Sequence, residues 1–73
     1  MKTRQFVVCI DNTDYPASLE VRKIYEQLPD ADAEKFDQVR VVDESGEDYL
    51  YPAKAFVRIQ LPKDAVRAIV RAA

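Results

Sequence analysis

Residues 39–52 read Val-Arg-Val-Val-Asp-Glu-Ser-Gly-Glu-Asp-Tyr-Leu-Tyr-Pro, and Gly46 within them is the chain's one glycine. A three-residue hairpin loop built on a type I turn needs its last residue in the left-handed region, which glycine adopts without strain. With Glu44, Ser45 and Gly46 as that loop, Asp43 faces Glu47, Val42 faces Asp48, Val41 faces Tyr49, Arg40 faces Leu50 and Val39 faces Tyr51. Side chains alternate across a strand, so Val39, Val41, Tyr49 and Tyr51 share one face, the better core candidate. Val42 and Leu50 share the other face with Arg40 and Asp48. Pro52 has no backbone donor, and it either ends the second strand or lies where the missing N–H would point outward.

The chain has 73 residues, enough for one domain, 1–73, and a chain this short buries only about 60% of the surface that it exposes when unfolded. With 48% hydrophobic and 33% charged residues, it resembles neither a disordered tail nor a membrane protein, and no run approaches the roughly 18 apolar residues of a spanning helix. The apolar run 6–10 is too short for the hydrophobic region of a secretory signal and lacks a small-residue cleavage site, so a soluble, cytoplasmic protein is expected. One cysteine and no histidine leave no internal disulfide, no Cys/His catalytic pair and no zinc site of the usual kind. No catalytic residue, metal site or cofactor is expected. The net charge of −2, from 11 basic and 13 acidic residues, disfavours nonspecific nucleic-acid binding, which draws on a clearly basic face.

In chain order, Phe6-Val7-Val8-Cys9-Ile10 is a strand by its length and β-branched content, with Cys9 beside Val7 on the face opposite Phe6, Val8 and Ile10. Cys9 reads as a small buried hydrophobe, since no base or cation stands near it in sequence. The next stretch, Asp11-Asn12-Thr13-Asp14-Tyr15-Pro16, is a loop of residues that bond their own backbone. It is not a calcium loop, because the glycine and glutamate that an EF-hand needs at its sixth and twelfth positions are missing. Between positions 19 and 28 the pattern is ambiguous: Val21, Ile24, Tyr25 and Leu28 fit a helical face slightly better than Leu19, Val21 and Tyr25 fit a strand. Residues 30–36 read as a short helical turn or acidic loop anchored by Phe36. Residues 56–61 read as a further strand, and Pro62 opens a C-terminal helix with Asp64 at its positive end and Arg67 and Arg71 toward its negative end. Val66, Ile69, Val70 and Ala73 form one stripe of that helix, which is too short to persist alone and is expected to cover the Val42–Leu50 face or the adjoining end of the fold, in the same chain or in a dimer mate.

The hairpin run 39–52, followed by Phe56 and by Ile59-Gln60-Leu61-Pro62, resembles a family of short uncharacterised bacterial proteins that are similar to small SH3-like barrels. The likeness extends to Tyr15-Pro16-Ala17-Ser18-Leu19-Glu20 and to Lys23-Ile24-Tyr25-Glu26-Gln27-Leu28-Pro29-Asp30, where it implies a strand. The fold class that follows is mainly β: a small SH3-like barrel of about five short antiparallel strands with a short C-terminal helix. The resemblance carries no activity, cofactor or catalytic residue.

Function is therefore weighed on surface chemistry. The leading expectation is a non-enzymatic protein-interaction or accessory module, monomeric or homodimeric, with protein partners and no membrane, whose binding residues are Tyr25, Tyr49, Tyr51 and Asp48. Tyrosine combines apolar area with a polar tip and is enriched at interfaces. The alternative is a nucleic-acid-binding small β-barrel in which aromatics stack bases while Arg22, Lys23, Arg40, Lys54 and Arg58 meet phosphates. A metal or acid–base cluster of Asp43, Glu44, Glu47 and Asp48 is a third reading, and a solvated hairpin tip accounts for those residues better.

Overall fold

Runs of β-branched and aromatic residues become five strands: β1 (Gln5–Cys9), β2 (Ile24–Leu28), β3 (Gln38–Val42), β4 (Asp48–Pro52) and β5 (Phe56–Ile59). The structure is a computed structural model that describes residues 4–72. All strand pairs are antiparallel, in the order β4-β3-β2-β1-β5. A one-turn helix α1 (Ala31–Glu34) joins β2 to β3, a 3-10 turn over Ala53–Ala55 joins β4 to β5, and α2 (Lys63–Ala72) follows β5. The chain is thus mainly β, five short antiparallel strands in one sheet that stays open between β4 and β5, with a short C-terminal helix. Among the described residues no helix is long and apolar enough to cross a membrane.

The hairpin has the register that its residues dictate, with Val39 opposite Tyr51, Arg40 opposite Leu50, Val41 opposite Tyr49 and Val42 opposite Asp48. Gly46 sits at φ +84°; its N–H donates to the Asp43 carbonyl at 3.0 Å, and the Asp43 N–H donates to the Glu47 carbonyl at 3.0 Å. This is a type I turn closed by a glycine bulge. The Asp43–Glu47 bond also sets the phase of the ladder. In an antiparallel pair, hydrogen-bonded and non-bonded positions alternate, so Val41–Tyr49 and Val39–Tyr51 are the bonded pairs. The backbone groups of Asp48, Leu50 and Pro52 consequently face away from β3, and proline occupies a position where no donor is missed.

The core holds Val7, Cys9, Leu19, Tyr25, Val41, Tyr51, Ala55 and Phe56. Val7 and Cys9 point inward together, as expected, with Cys9 fully buried. Leu19 enters from the long β1–β2 loop and is also fully buried. The helical lean between positions 19 and 28 gives way to strand β2, because this segment is flanked by β1 on one side and β3 on the other. Cross-strand pairing on both sides overrides a local periodicity worth a fraction of that contact. Two side chains depart from expectation. Phe36 does not anchor the acidic turn: the chain leaves α1 through Asp37 in the left-handed region at φ +56°, and Phe36 is 75% exposed. Asp30 holds α1 instead, its carboxylate accepting the Ala33 N–H at 3.0 Å and the Arg40 Nε–H at 2.9 Å. Tyr49, on the core-facing side of the hairpin, is half exposed, since its ring lies near the tip beyond the buried cluster.

On the outer face of the sheet Phe6 is only 2% exposed, and it lines a groove with Ile24 and Val42 of the sheet and Ile69 and Val70 of α2. Ile69 and Val70 of the amphipathic helix thus border the same groove as Val42, while Leu50 stays outside it, 41% exposed. Ala73, the last member of the apolar stripe, lies outside the described residues.

Replacing Gly46 by valine is expected to cost about 1–2 kcal/mol, since a β-branched residue is strained in the left-handed region. A Cβ there would meet no atom within 4 Å, so the cost is backbone strain alone, and an unchanged melting temperature would contradict the turn. Truncation after Pro62 removes the Ile69–Val70 wall of this groove and is expected to remove several kcal/mol of stability or to cause association, since burying one Val or Ile side chain is worth about 1.5–3 kcal/mol. Thermal unfolding and sedimentation of the shortened chain measure both effects.

Candidate functional site

The β1–β2 loop, residues 10–23, is long and contains no strand, so its backbone groups have to find partners by folding back on themselves and on neighbours. The Tyr15 carbonyl accepts from the Ser18 and Leu19 N–H groups at 3.1 and 3.0 Å, and the Asn12 side-chain amide donates to the Leu19 carbonyl at 2.9 Å. The loop then meets the hairpin tip, where the Glu44 N–H donates to the Ser18 carbonyl at 3.1 Å.

Two tyrosine–carboxylate bonds fasten this junction. The Tyr51 hydroxyl donates to Asp43 Oδ2 at 2.5 Å, and the other oxygen of that carboxylate accepts the Ser45 N–H at 2.9 Å and the Ser45 hydroxyl at 2.6 Å. The Tyr25 hydroxyl donates to Glu44 Oε2 at 2.5 Å while accepting the Glu20 N–H at 2.7 Å. Lys23 Nζ reaches the same Glu44 oxygen at 2.6 Å. Bonds to an ionised acceptor are about twice as strong as neutral ones, so these contacts set the relative position of loop and tip.

The ionisation of these groups follows from their surroundings. Burial first, then the hydrogen bond to Asp43, raises the Tyr51 phenol from its ordinary 10.0 to about 12. Burial and Glu44 raise Tyr25 likewise. For Asp43, burial opposes ionisation, but the bonds from the Ser45 and Tyr51 hydroxyls and the Ser45 N–H outweigh it and hold the carboxyl below its ordinary value. Glu44 is lowered by its bonds from Lys23 and Tyr25.

Between loop and hairpin lies a surface groove of about 410 Å3. Tyr15 and Ser18 form its loop wall, Tyr49, Leu50 and Tyr51 form the wall along β4, and Asp43 closes it toward the tip. The Tyr15 and Tyr51 rings meet edge to face with centroids 5.0 Å apart, an arrangement that fixes both rings. Of the residues singled out from sequence, Tyr49 and Tyr51 are brought together here, Tyr51 buried in the wall and Tyr49 51% exposed with its hydroxyl donating to Glu47 at 3.2 Å. Asp48 turns its carboxylate to the opposite face, where Arg40 Nη1 binds it at 2.9 Å, and it does not line the groove. Tyr25 is buried and lines the separate groove shared with Phe6 and α2. Tyr15 and Ser18 were not identifiable as wall residues, because their contact with the hairpin joins segments distant in sequence. The four tip carboxylates do not converge: Asp43 serves Tyr51 and Ser45, Glu44 serves Lys23 and Tyr25, Glu47 serves Tyr49, and Asp48 serves Arg40. Among the described residues no group of three or more Cys, Asp or Glu side chains is placed to hold a metal ion.

The junction predicts a pH profile. Asp43 and Glu44, with folded pKa values below the ordinary 3.8 and 4.5, contribute stability that is present above those ordinary values and lost as pH falls through the folded ones. Tyr51, raised from 10.0 to about 12, contributes stability that is complete below pH 10 and lost as pH rises through its folded value. Melting temperature against pH is expected to fall at both ends, and Asp43→Asn is expected to flatten the acid limb; an acid limb unchanged in the variant would contradict the assignment. Comparison with family models, with curated proteins and with solved structures returned no match, so the role of this groove has to be read from its own geometry.

Proposed function

We propose that this chain is a non-enzymatic protein-interaction module that docks a partner protein at the groove between the β1–β2 loop and β4. One observation carries the proposal: Tyr49 stands half exposed on a wall whose other members are held in place, with Tyr51 locked to Asp43 and Tyr15 stacked against Tyr51. A large aromatic on a rigid support loses little conformational freedom when a partner covers it, and tyrosine anchors are enriched among the residues that dominate interface energetics.

A photo-reactive benzoylphenylalanine at position 49, introduced in the source cells, tests the proposal against the same group at the exposed Lys54. A discrete protein adduct is expected at position 49 and not at position 54. The captured protein, once purified, is expected to bind the wild-type chain about tenfold or more tightly than Tyr49→Ala, in line with loss of a packed aromatic anchor. Identical adducts at both positions, or equal affinity for Tyr49→Ala, would overturn it.

The nucleic-acid reading retains support from a different surface. Arg4, Lys63, Arg67 and Arg71 surround an apolar floor of Leu61, Val66 and Val70 along α2, with Arg4 paired to Glu26 and Arg67 to Asp64, and two of the cations named from sequence, Lys23 and Arg40, are likewise committed to carboxylates. Binding to a single-stranded oligonucleotide that weakens steeply with salt would favour this reading, and no binding at low salt would remove it.

A further inference from the structure

We infer that β4 accepts an extended, lysine- or arginine-bearing segment of a partner protein as an added antiparallel or parallel strand along its free edge. The inference rests on the interaction-module reading and names how the groove is used and by what. It follows from the phase of the hairpin ladder. Because Asp43 donates to Glu47, the inward-bonded residues of β4 are Tyr49 and Tyr51, and the N–H and C=O of both Asp48 and Leu50 are directed away from β3. β4 is the last strand on this side of the sheet. A row of backbone donors and acceptors at an open edge is a template for another strand.

The groove fits such a strand better than a compact side chain or a helix. One wall is the edge itself, with the exposed Tyr49 on the groove side while the Leu50 side chain alternates to the Arg40 face, and the other is formed by Tyr15 and Ser18, so an extended segment would run along β4 with alternate side chains entering between Tyr49 and Tyr15. Main-chain bonds supply affinity in this mode of recognition, and pockets for alternate side chains supply specificity.

Charge selects the occupant. Asp43 is the one ionised side chain lining the groove, and Glu47 follows at the tip, bonded to the Tyr49 hydroxyl, while Glu44 is paired with Lys23 and Asp48 with Arg40 away from the groove. An incoming basic side chain meets complementary potential, and an acidic one meets like charge. A second copy of this chain brings a net charge of −2 and its own acidic tip to the same edge, which disfavours self-pairing.

The test uses three synthetic heptapeptides with the 15N-labelled chain. One alternates valine with lysine and arginine, the second carries glutamate in place of each basic residue, and the third is the basic peptide N-methylated at alternate residues. The basic peptide is expected to slow hydrogen exchange of the Leu50 amide by about tenfold or more, because a bonded amide exchanges only through opening. Neither of the other peptides is expected to do so. Leu50→Pro removes the outward donor at a position the β3–β4 ladder does not use, and it is expected to abolish binding that Leu50→Ala retains. If the proline variant does not fold, the N-methylated peptide carries the same test. Binding of the basic peptide without protection at Leu50, or equal binding of the N-methylated peptide, would overturn strand addition. Protection at Leu50 that grows with protein concentration and needs no peptide would overturn it in favour of a second copy. An adduct at position 49 that persists in Leu50→Pro would keep the docking groove and overturn strand addition alone.

Discussion

The bond from the Tyr51 hydroxyl to Asp43 is the contact on which the rest of this small structure depends. It joins the middle of β4 to the turn that begins β4, and Asp43 is at once the acceptor of Tyr51, the acceptor of Ser45 and a backbone partner of Glu47. A carboxylate held by three donors cannot move without breaking all of them, and a buried polar network of this kind is costly when any member is left unpaired. Glu44, the next residue, carries the same logic outward to Tyr25, Lys23 and the Ser18 carbonyl. Two adjacent acids therefore tie the hairpin tip to a loop that has no regular structure of its own.

Such ties matter more in a chain of 73 residues than they would in a larger one. The fraction of surface that can be buried falls with size, so apolar contact alone leaves a small domain marginal. Here the apolar cluster is extended by loop and helix: Leu19 fills the interior from the β1–β2 loop, and Ile69 and Val70 of α2 border the groove beside Phe6 on the outer face. The polar clamp holds the first of these in place. Its position also decides which aromatics remain available, for Tyr51 is covered by Tyr15 while Tyr49, two residues nearer the tip, is not.

The hairpin was legible to the residue, because a lone glycine set the turn and strict alternation then set every pair from Val39–Tyr51 to Val42–Asp48. The inward orientation of Cys9 was legible for a similar reason, a β-branched run with a period of two. The strand at Ile24–Leu28 was not readable from spacing, since Val21, Ile24, Tyr25 and Leu28 satisfy a helical period, and what makes the segment a strand is a neighbour on each side. Phe36 misled in the opposite sense: a large apolar residue was expected to be buried, yet the left-handed turn at Asp37 leaves it in solvent. The groove was half legible. Tyr49 and Tyr51 could be assigned to one face from alternation, but Tyr15 and Ser18, which make that face into a groove, arrive through tertiary folding of a loop whose local pattern says only that it turns.

One detail of the hairpin bears on what happens when many copies meet. A sheet edge rich in tyrosine and leucine is the kind of segment that stacks into fibrils when it is long, flat and uncharged. Here the run is bounded on one side by Asp48, whose charge is held at the edge by Arg40, and on the other by Pro52, which has no hydrogen to offer an incoming chain. Between them stand only three residues. That is long enough for a guest to grip and too short for an amyloid ladder to propagate, so the same proline that ends the strand also guards the molecule against polymerising with itself.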